Sequence, residues 1–480
     1  MNRNRQSAPY QTRGLRSLTV DSRPFVSILC FCTPILLVPS LAVRSIIILI
    51  LGVLIFSYEM ALKLPVPMTP GTLLWLGSTL SYIVGGIVSK FLFEQTNDFG
   101  LVYLDSALLY LGLGLASYAF GMLLVGKPSQ RDAKKITGLH FTPARIIVVV
   151  LLFILPVVGR TLVDDSSAIY SNLIIGALQS IEIFPTILFS VYLLQPRRVW
   201  WLGLLLLAAS LALPWEDMLV GYGRMKLPFA IITLIFTYMS LVWYSGKRIS
   251  LQAKLLLMLS PIFIFVFFTI TSSYRQQIEF DRGTTEEYRS EIISQSVREL
   301  TRIDSILTII EPLITRLIEK PSLELLGWIE NDRIEQVGWT HEDTKQVILT
   351  WIPKAFFPDK GVGYGRDIME FYGLSSASNN IPVTILTDAY RRGGVFGVMS
   401  MYFLMGVAST TIASKLQGSW GTLGLILAIF FASLHFLIYS EDVLEVIKLY
   451  IYRLPSSGLV IYAFLRATRI WMPNMDDSKN

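Results

Sequence analysis

The chain has 480 residues, of which 53% are hydrophobic and 16% charged, with a formal net charge of +6. A mean hydropathy of +0.55 is far too high for a soluble protein and excludes a cytosolic enzyme. The positive balance gives no support to nucleic-acid binding, because membrane orientation and anionic headgroups account for it.

Residues 1–24 form a polar, basic cytoplasmic tail. A transmembrane helix needs about 20 apolar residues, and twelve stretches qualify. They are roughly 25–43, 45–62, 72–93, 101–125, 143–159, 168–194, 199–214, 227–245, 255–272, 395–413, 421–440 and 447–466. The first two are separated by little more than Arg44. The alternation of a membrane β-barrel is absent, so the predicted fold is an all-α integral membrane protein with about twelve transmembrane helices. About nine helices fill 25–272, a large polar loop occupies 273–394, three more helices fill 395–466, and 467–480 is a second cytoplasmic tail.

Orientation follows from Lys and Arg, which cytoplasmic loops retain in excess. With the N-terminus inside, the cytoplasmic segments hold 20 basic residues and the short external loops hold 5, namely Arg44, Arg160, Arg224, Lys226 and Lys448. Both termini are therefore expected in the cytoplasm and the long loop outside. That loop has 14 basic and 19 acidic residues, so its charge is opposite to that of the rest.

Cys30 and Cys32 both lie in the first span and imply neither a disulfide framework nor a metal site. His140, His341 and His435 fall in a cytoplasmic loop, the long loop and a span, so no metal-ligand cluster is expected. Inside the bundle, Asp105 and Glu182 are costly acids and hence functional candidates or paired helix-holding groups. Glu182 precedes Pro185, which frees backbone carbonyls nearby.

Within the long loop, Ile292, Ile293, Val297, Leu300, Ile303, Leu307 and Ile310 recur at helical spacing and predict an amphipathic helix over 285–318. A second helical stretch follows at 321–350, then a Pro- and Gly-rich irregular segment at 353–382.

Four arginines stand out on the external side. Arg224 ends a short loop, Arg366 follows Gly365, and Arg391 and Arg392 lie just outside the tenth span. A guanidinium stays charged and presents a fork that fits phosphate oxygens, so the set suits a lipid diphosphate headgroup. The alternative is interface snorkelling or local salt bridges. Lys360 and Tyr390 lie close to them in sequence, as do the carboxylates Glu216, Asp217, Asp367, Glu370 and Asp388. A sugar hydroxyl acting as nucleophile needs a base, and Asp388, beside the membrane entry, is the first choice. Its alternative role is a cap or ion pair for the following helix. Glu216 and Asp217 together are a weak hard-cation signal.

Trp351-Ile-Pro-Lys-Ala-Phe-Phe-Pro-Asp-Lys360 resembles the I-P-R-x-x-W-P-x-K-P element of the oligosaccharide repeat-unit polymerases, the O-antigen polymerase family. Asn380-Ile-Pro-Val-Thr384, the Gly-Gly entry into a span at 393–394 and Gly223-Arg224 resemble further elements of that family, as does the topology. Lys354, Phe357, Gly361, Met225 and the pair Arg391-Arg392 depart from its usual residues. The resemblance implies a metal-independent glycosyltransferase of the bacterial plasma membrane that needs no cofactor. Such an enzyme moves a growing glycan from polyprenyl diphosphate to a new lipid-linked repeat unit, alongside flippase and chain-length regulator proteins. In that scheme Arg224 and Arg391 stabilise the leaving diphosphate. Arg392, Arg366, Lys360 and Tyr390 bind diphosphate or glycan, and Asp388 takes the proton. An O-antigen ligase-like enzyme would share this architecture. From another class, a secondary transporter or lipid-linked sugar flippase would couple through Glu182 and Asp105, but it predicts pseudo-symmetric halves that the sequence does not display. A non-catalytic scaffold for envelope assembly is the remaining reading.

Overall fold

The computed structural model describes residues 21–62, 69–87, 102–125, 338–349, 384–419 and 442–467, together with short helical pieces between 186 and 238, 323 and 331, and 427 and 438. Every regular element among the described residues is helical. The amphipathic helix expected at 285–318 and the irregular segment at 353–382 lie outside them.

Helix α1 (Arg23–Ile35) starts with Pro24 in its first turn, where a missing N–H removes no helix bond. Helix α2 (Leu41–Ala61) starts at Ser40, whose side chain accepts from the Val43 N–H at 3.5 Å. The break between the first two helices is therefore at 36–40, not at Arg44 as the sequence implied. Arg44 lies in the first turn of α2, only 6% exposed. It donates to the Leu36 carbonyl at 3.1 Å and to the backbone oxygen and Oδ2 of Asp105 at 2.8 and 2.7 Å. Five fixed donors let one guanidinium serve both a carbonyl at the end of α1 and an intramembrane acid, so no polar loop is needed there.

Helix α3 (Pro70–Ser78) is capped from α2. Glu59 accepts from the backbone N–H groups of Gly71 and Thr72 at 2.9 and 3.0 Å and from the Thr69 and Thr72 hydroxyls. A carboxylate at a helix N-terminus satisfies orphan donors and opposes the positive end of the dipole. The helix then continues as a π-helical turn, Thr79–Gly85.

Helix α4 (Leu104–Val125) packs against α2 on one side and along α6 (Ile385–Ser419) on the other. A short helix, α5 (His341–Leu349), belongs to the polar stretch before α6. The described chain ends with α7 (Val443–Lys448), which runs through a π-helical turn, Leu449–Arg453, into α8 (Leu454–Ala467). Among the described residues, three helices are long and apolar enough to cross a membrane: Leu41–Ala61, Leu104–Val125 and Ile385–Leu416. They correspond to the second, fourth and tenth predicted spans. Phe120, Leu124, Phe396 and Leu404 are exposed on them, apolar surface that suits a lipid environment.

The α4–α6 seam depends on small residues, which let helix backbones approach closely. A Cβ at Gly406 would stand 2.2 Å from the Tyr118 carbonyl oxygen, and backbone cannot yield as a side chain can. The same seam carries the buried Tyr118–Ser409 hydroxyl pair at 2.6 Å. Gly406→Ala is expected to cost about 1–3 kcal/mol through overpacking. Gly458→Ala, where a Cβ meets nothing within 4 Å, should be near neutral. Thermal unfolding of the two purified variants checks the contrast, and equal midpoints would refute it.

Candidate functional site

Helix α6 begins ten residues before the predicted tenth span, so the arginine pair lies on a helix and not in a loop outside it. Thr384 supplies the start: its buried Oγ1 accepts from the Thr387 N–H at 3.4 Å and from the Tyr82 hydroxyl at 2.9 Å. The first two turns run to Arg392 and stop at Gly393 (φ −163°, ψ 24°) and Gly394 (φ 57°, ψ −148°). The Gly394 conformation is open essentially to glycine alone. It sets the short helix 385–392 off from the apolar remainder of α6.

On that short helix Asp388, Arg391 and Arg392 are spaced i, i+3 and i+4 and so share one face. Asp388 has no exposed surface. Its Oδ1 accepts from Nε and Nη2 of Arg391 at 3.1 and 2.8 Å. Its Oδ2 accepts from Arg392 Nε and from the Val443 backbone N–H, both at 3.0 Å. The carboxylate thus accepts four hydrogen bonds, two on each oxygen.

Arg392 reaches outward from the same helix to α5. Its Nη1 and Nη2 donate to Oδ2 and Oδ1 of Asp343 at 2.6 and 3.2 Å, a bidentate fork. Its guanidinium carbon lies 5.3 Å from the centroid of the Trp339 ring, within cation–π range. Asp343 is fully buried and also completes a reciprocal helix cap: the Thr340 N–H donates to its Oδ2 at 2.8 Å, and its own N–H donates to Thr340 Oγ1 at 3.2 Å. Burial pushes the Asp343 carboxyl up, but hydrogen bonds from Arg392 and Thr340 outweigh it and leave the group below its ordinary value. Among the described residues, two guanidinium groups face two carboxylates in this inner cluster.

A second group of charges adjoins it. Asp442 caps α7 through the Glu445 N–H at 2.7 Å. Glu445 in turn pairs with Lys448 at 2.9 Å and with Arg453. Burial, then the nearby Asp388 and Glu445 carboxylates, push the Asp442 carboxyl up to about 8. A folded-state value above the unfolded 3.8 means that the native protein keeps a proton which the unfolded chain has released. This contribution to stability is complete below the unfolded value and is lost as pH rises through the window to about 8. Asp442→Asn keeps a good cap and removes the titration. Its thermal midpoint should therefore fall less steeply with pH than that of the parent. Parallel slopes would contradict the assignment.

Tyr390 faces α4. Its ring stacks on Tyr110 with centroids 4.4 Å apart. The Tyr110 hydroxyl donates to Glu330 at 2.6 Å and lies 3.2 Å from the Tyr390 hydroxyl. Both rings are buried, so this stack and its hydrogen bonds join the start of α6 to α4.

Of the residues predicted from sequence, the structure groups Asp388, Arg391 and Arg392, whereas Tyr390, on the same short helix, packs on Tyr110 of α4. Arg224, Arg366, Lys360, Glu216, Asp217 and Glu182 lie outside the described residues. Asp105 is the partner of Arg44, the helix-holding role. His435 is occupied in the core by the Phe431 carbonyl and the Tyr450 hydroxyl at 2.8 and 2.6 Å. Among the described residues no three His, Cys, Asp or Glu side chains group as a metal site. Sequence reasoning missed Asp343, Asp442, Tyr110 and Glu330. Thr340-His-Glu-Asp343 carries a capping spacing that could have marked the first; the others lie too far from the arginines in sequence to be linked to them.

Comparison of the chain with described protein families, with curated proteins and with solved structures finds no match.

Proposed function

We propose that this chain is a multi-pass enzyme of the bacterial plasma membrane, with both termini cytoplasmic, that polymerises polyprenyl-diphosphate-linked oligosaccharide repeat units on the external face. The observation that carries the reading is the arginine pair on a buried helical step at the entry to an apolar helix, kinked by Gly393-Gly394. Cations held at that level suit a diphosphate headgroup whose lipid tail lies in the bilayer.

In the proposed reaction an acceptor-sugar hydroxyl attacks the anomeric carbon of the donor glycan. The bond from that carbon to the diphosphate oxygen breaks, and the diphosphate leaves with the electron pair. Arg391 neutralises the charge that gathers on it. Arg392 binds the headgroup, and Tyr390, packed on Tyr110, braces the short helix that carries both arginines. Arg224, Arg366 and Lys360 remain assigned to diphosphate and glycan on the sequence resemblance alone. Asp388 was expected to take the hydroxyl proton. Its geometry favours a different part: a base needs a lone pair free for the incoming hydroxyl, whereas this carboxylate already accepts four bonds. We therefore read Asp388 as the post that holds both guanidinium groups in register, and the hydroxyl proton passes to an oxygen of the departing diphosphate, which leaves with the electron pair.

The ion pair between Arg44 and Asp105 weighs against Asp105 as a coupling acid for transport, since its charge is already compensated. A clean deletion strain tests the classes. Single lipid-linked repeat units without long chains would establish a polymerase. Long chains left on the carrier would indicate a ligase-like enzyme, and glycans trapped inside the cell would return the argument to Glu182 and transport.

A further inference from the structure

Among the described residues, Arg391 and Arg392 are matched by Asp388 and Asp343, so an incoming anion meets guanidinium groups that already hold carboxylates. Both ends of the Arg392 fork are engaged by Asp343, in the bidentate geometry that phosphate oxygens also adopt. The two carboxylates differ in how they are tethered. Asp388 sits one turn away on the same helix and is also held by the Val443 N–H, so it stays beside its arginines. Asp343 comes from α5, a separate nine-residue helix of the polar stretch. Its N-terminal end is fastened to α6 by this fork and by Trp339 over the guanidinium. Its other half is fastened elsewhere, where Tyr452 donates to the Val347 carbonyl at 2.8 Å.

We propose that Asp343 is an internal stand-in for the ligand: a phosphate or diphosphate headgroup takes over the Arg392 fork by displacing Asp343, and that exchange releases the N-terminal half of α5 from the site. Loss of one carboxylate makes the inner cluster more positive, matched by the arriving anion. The proposal supplies what the polymerase reading leaves open, namely how an arginine pair that already holds carboxylates accepts a diphosphate. It rests on that reading for the lipid identity of the ligand, but the exchange of one anion for another does not require glycosyl transfer.

The test is hydrogen exchange of the peptide covering 340–349 in the full-length protein in lipid nanodiscs. Three conditions are compared: no addition, inorganic pyrophosphate, and nanodiscs doped with undecaprenyl diphosphate. Faster exchange, on the order of tenfold, with either diphosphate supports the proposal. A response to pyrophosphate shows that the headgroup suffices, and a response to the lipid alone shows that membrane presentation is required. Unchanged or slower exchange with both overturns it.

Asp343→Asn provides the second arm. The amide oxygen can still accept from the Thr340 N–H, so the start of α5 is kept, while the negative charge facing Arg392 is lost. In this variant the peptide should exchange fast before any ligand is added. Pyrophosphate should also bind about tenfold more tightly, because the competitor has been removed. Asp343→Glu, which restores the charge, should return slow exchange and the ligand response. Parent-like exchange and affinity in Asp343→Asn would overturn the proposal. A deletion strain with normal glycans alongside a diphosphate-dependent release of α5 would sink the polymerase reading and leave the exchange standing.

Discussion

Asp388→Ala is expected to be the most damaging single substitution among the residues described. It removes four accepted hydrogen bonds at once and leaves Arg391 and Arg392, 3% and 7% exposed at their side chains, without their shared counter-ion. Breaking a buried ion pair by deleting one partner costs about 3–5 kcal/mol, because the remaining charge stays desolvated. Here both guanidinium groups lose a carboxylate partner, although Arg392 keeps Asp343. The expected result is a large drop in the thermal midpoint of the purified protein and a low level in membranes. Asp388→Asn should behave similarly, since the amide nitrogen would confront a guanidinium. If Asp388 served only as a base, Asp388→Asn would fold like the parent and lose activity alone. Replacing the whole set by uncharged residues, Asp388→Leu with Arg391→Met, Arg392→Met and Asp343→Asn, should recover much of the stability while leaving no polymer. Recovery of stability without function would separate the structural part of the cluster from its chemical part.

Arg391→Ala is expected to produce the largest loss of rate at tolerable cost in stability. Asp388 then keeps Arg392 and the Val443 N–H, so no carboxylate is stranded. A positioned donor aimed at developing charge is worth about 10²–10³ in turnover. Polymer formation per molecule of protein should fall by that factor, with substrate affinity changed far less. Arg391→Lys keeps the charge but cannot place two N–H groups on one carboxylate oxygen as Nε and Nη2 do, so intermediate activity is expected. Initial rates over a range of lipid-linked substrate concentrations check this. Undiminished turnover in Arg391→Ala at normal protein level would remove Arg391 from the mechanism.

Long apolar runs were the most legible feature of the sequence. Leu41–Ala61 and Leu104–Val125 match predicted spans within a few residues, because twenty consecutive apolar residues leave the chain little choice. The start of α6 was not legible. Residues 385–394 mix charges with Gly393-Gly394 and read as a loop entering the membrane, whereas Thr384 caps a helix that begins there and is only kinked by the glycines. The break between α1 and α2 was misplaced for a related reason. A charge in an apolar run is taken as a loop, yet Arg44 is neutralised by Asp105, a residue 61 positions away that no local pattern connects to it. Asp388, Arg391 and Arg392 could be grouped from sequence because helical spacing brings them together. Asp343 and Asp442 could not, since tertiary packing alone delivers them.

The central claim is that this chain joins lipid-linked repeat units through a diphosphate leaving group held by its arginines. The most direct test uses the purified protein in proteoliposomes with lipid-linked oligosaccharide extracted from the deletion strain. The account predicts a ladder of products whose rungs differ by one repeat unit, one polyprenyl diphosphate released for each bond formed, unaffected by EDTA and lost in Arg391→Ala. Intact substrate after prolonged incubation with folded protein, or an equal ladder from Arg391→Ala, would contradict it.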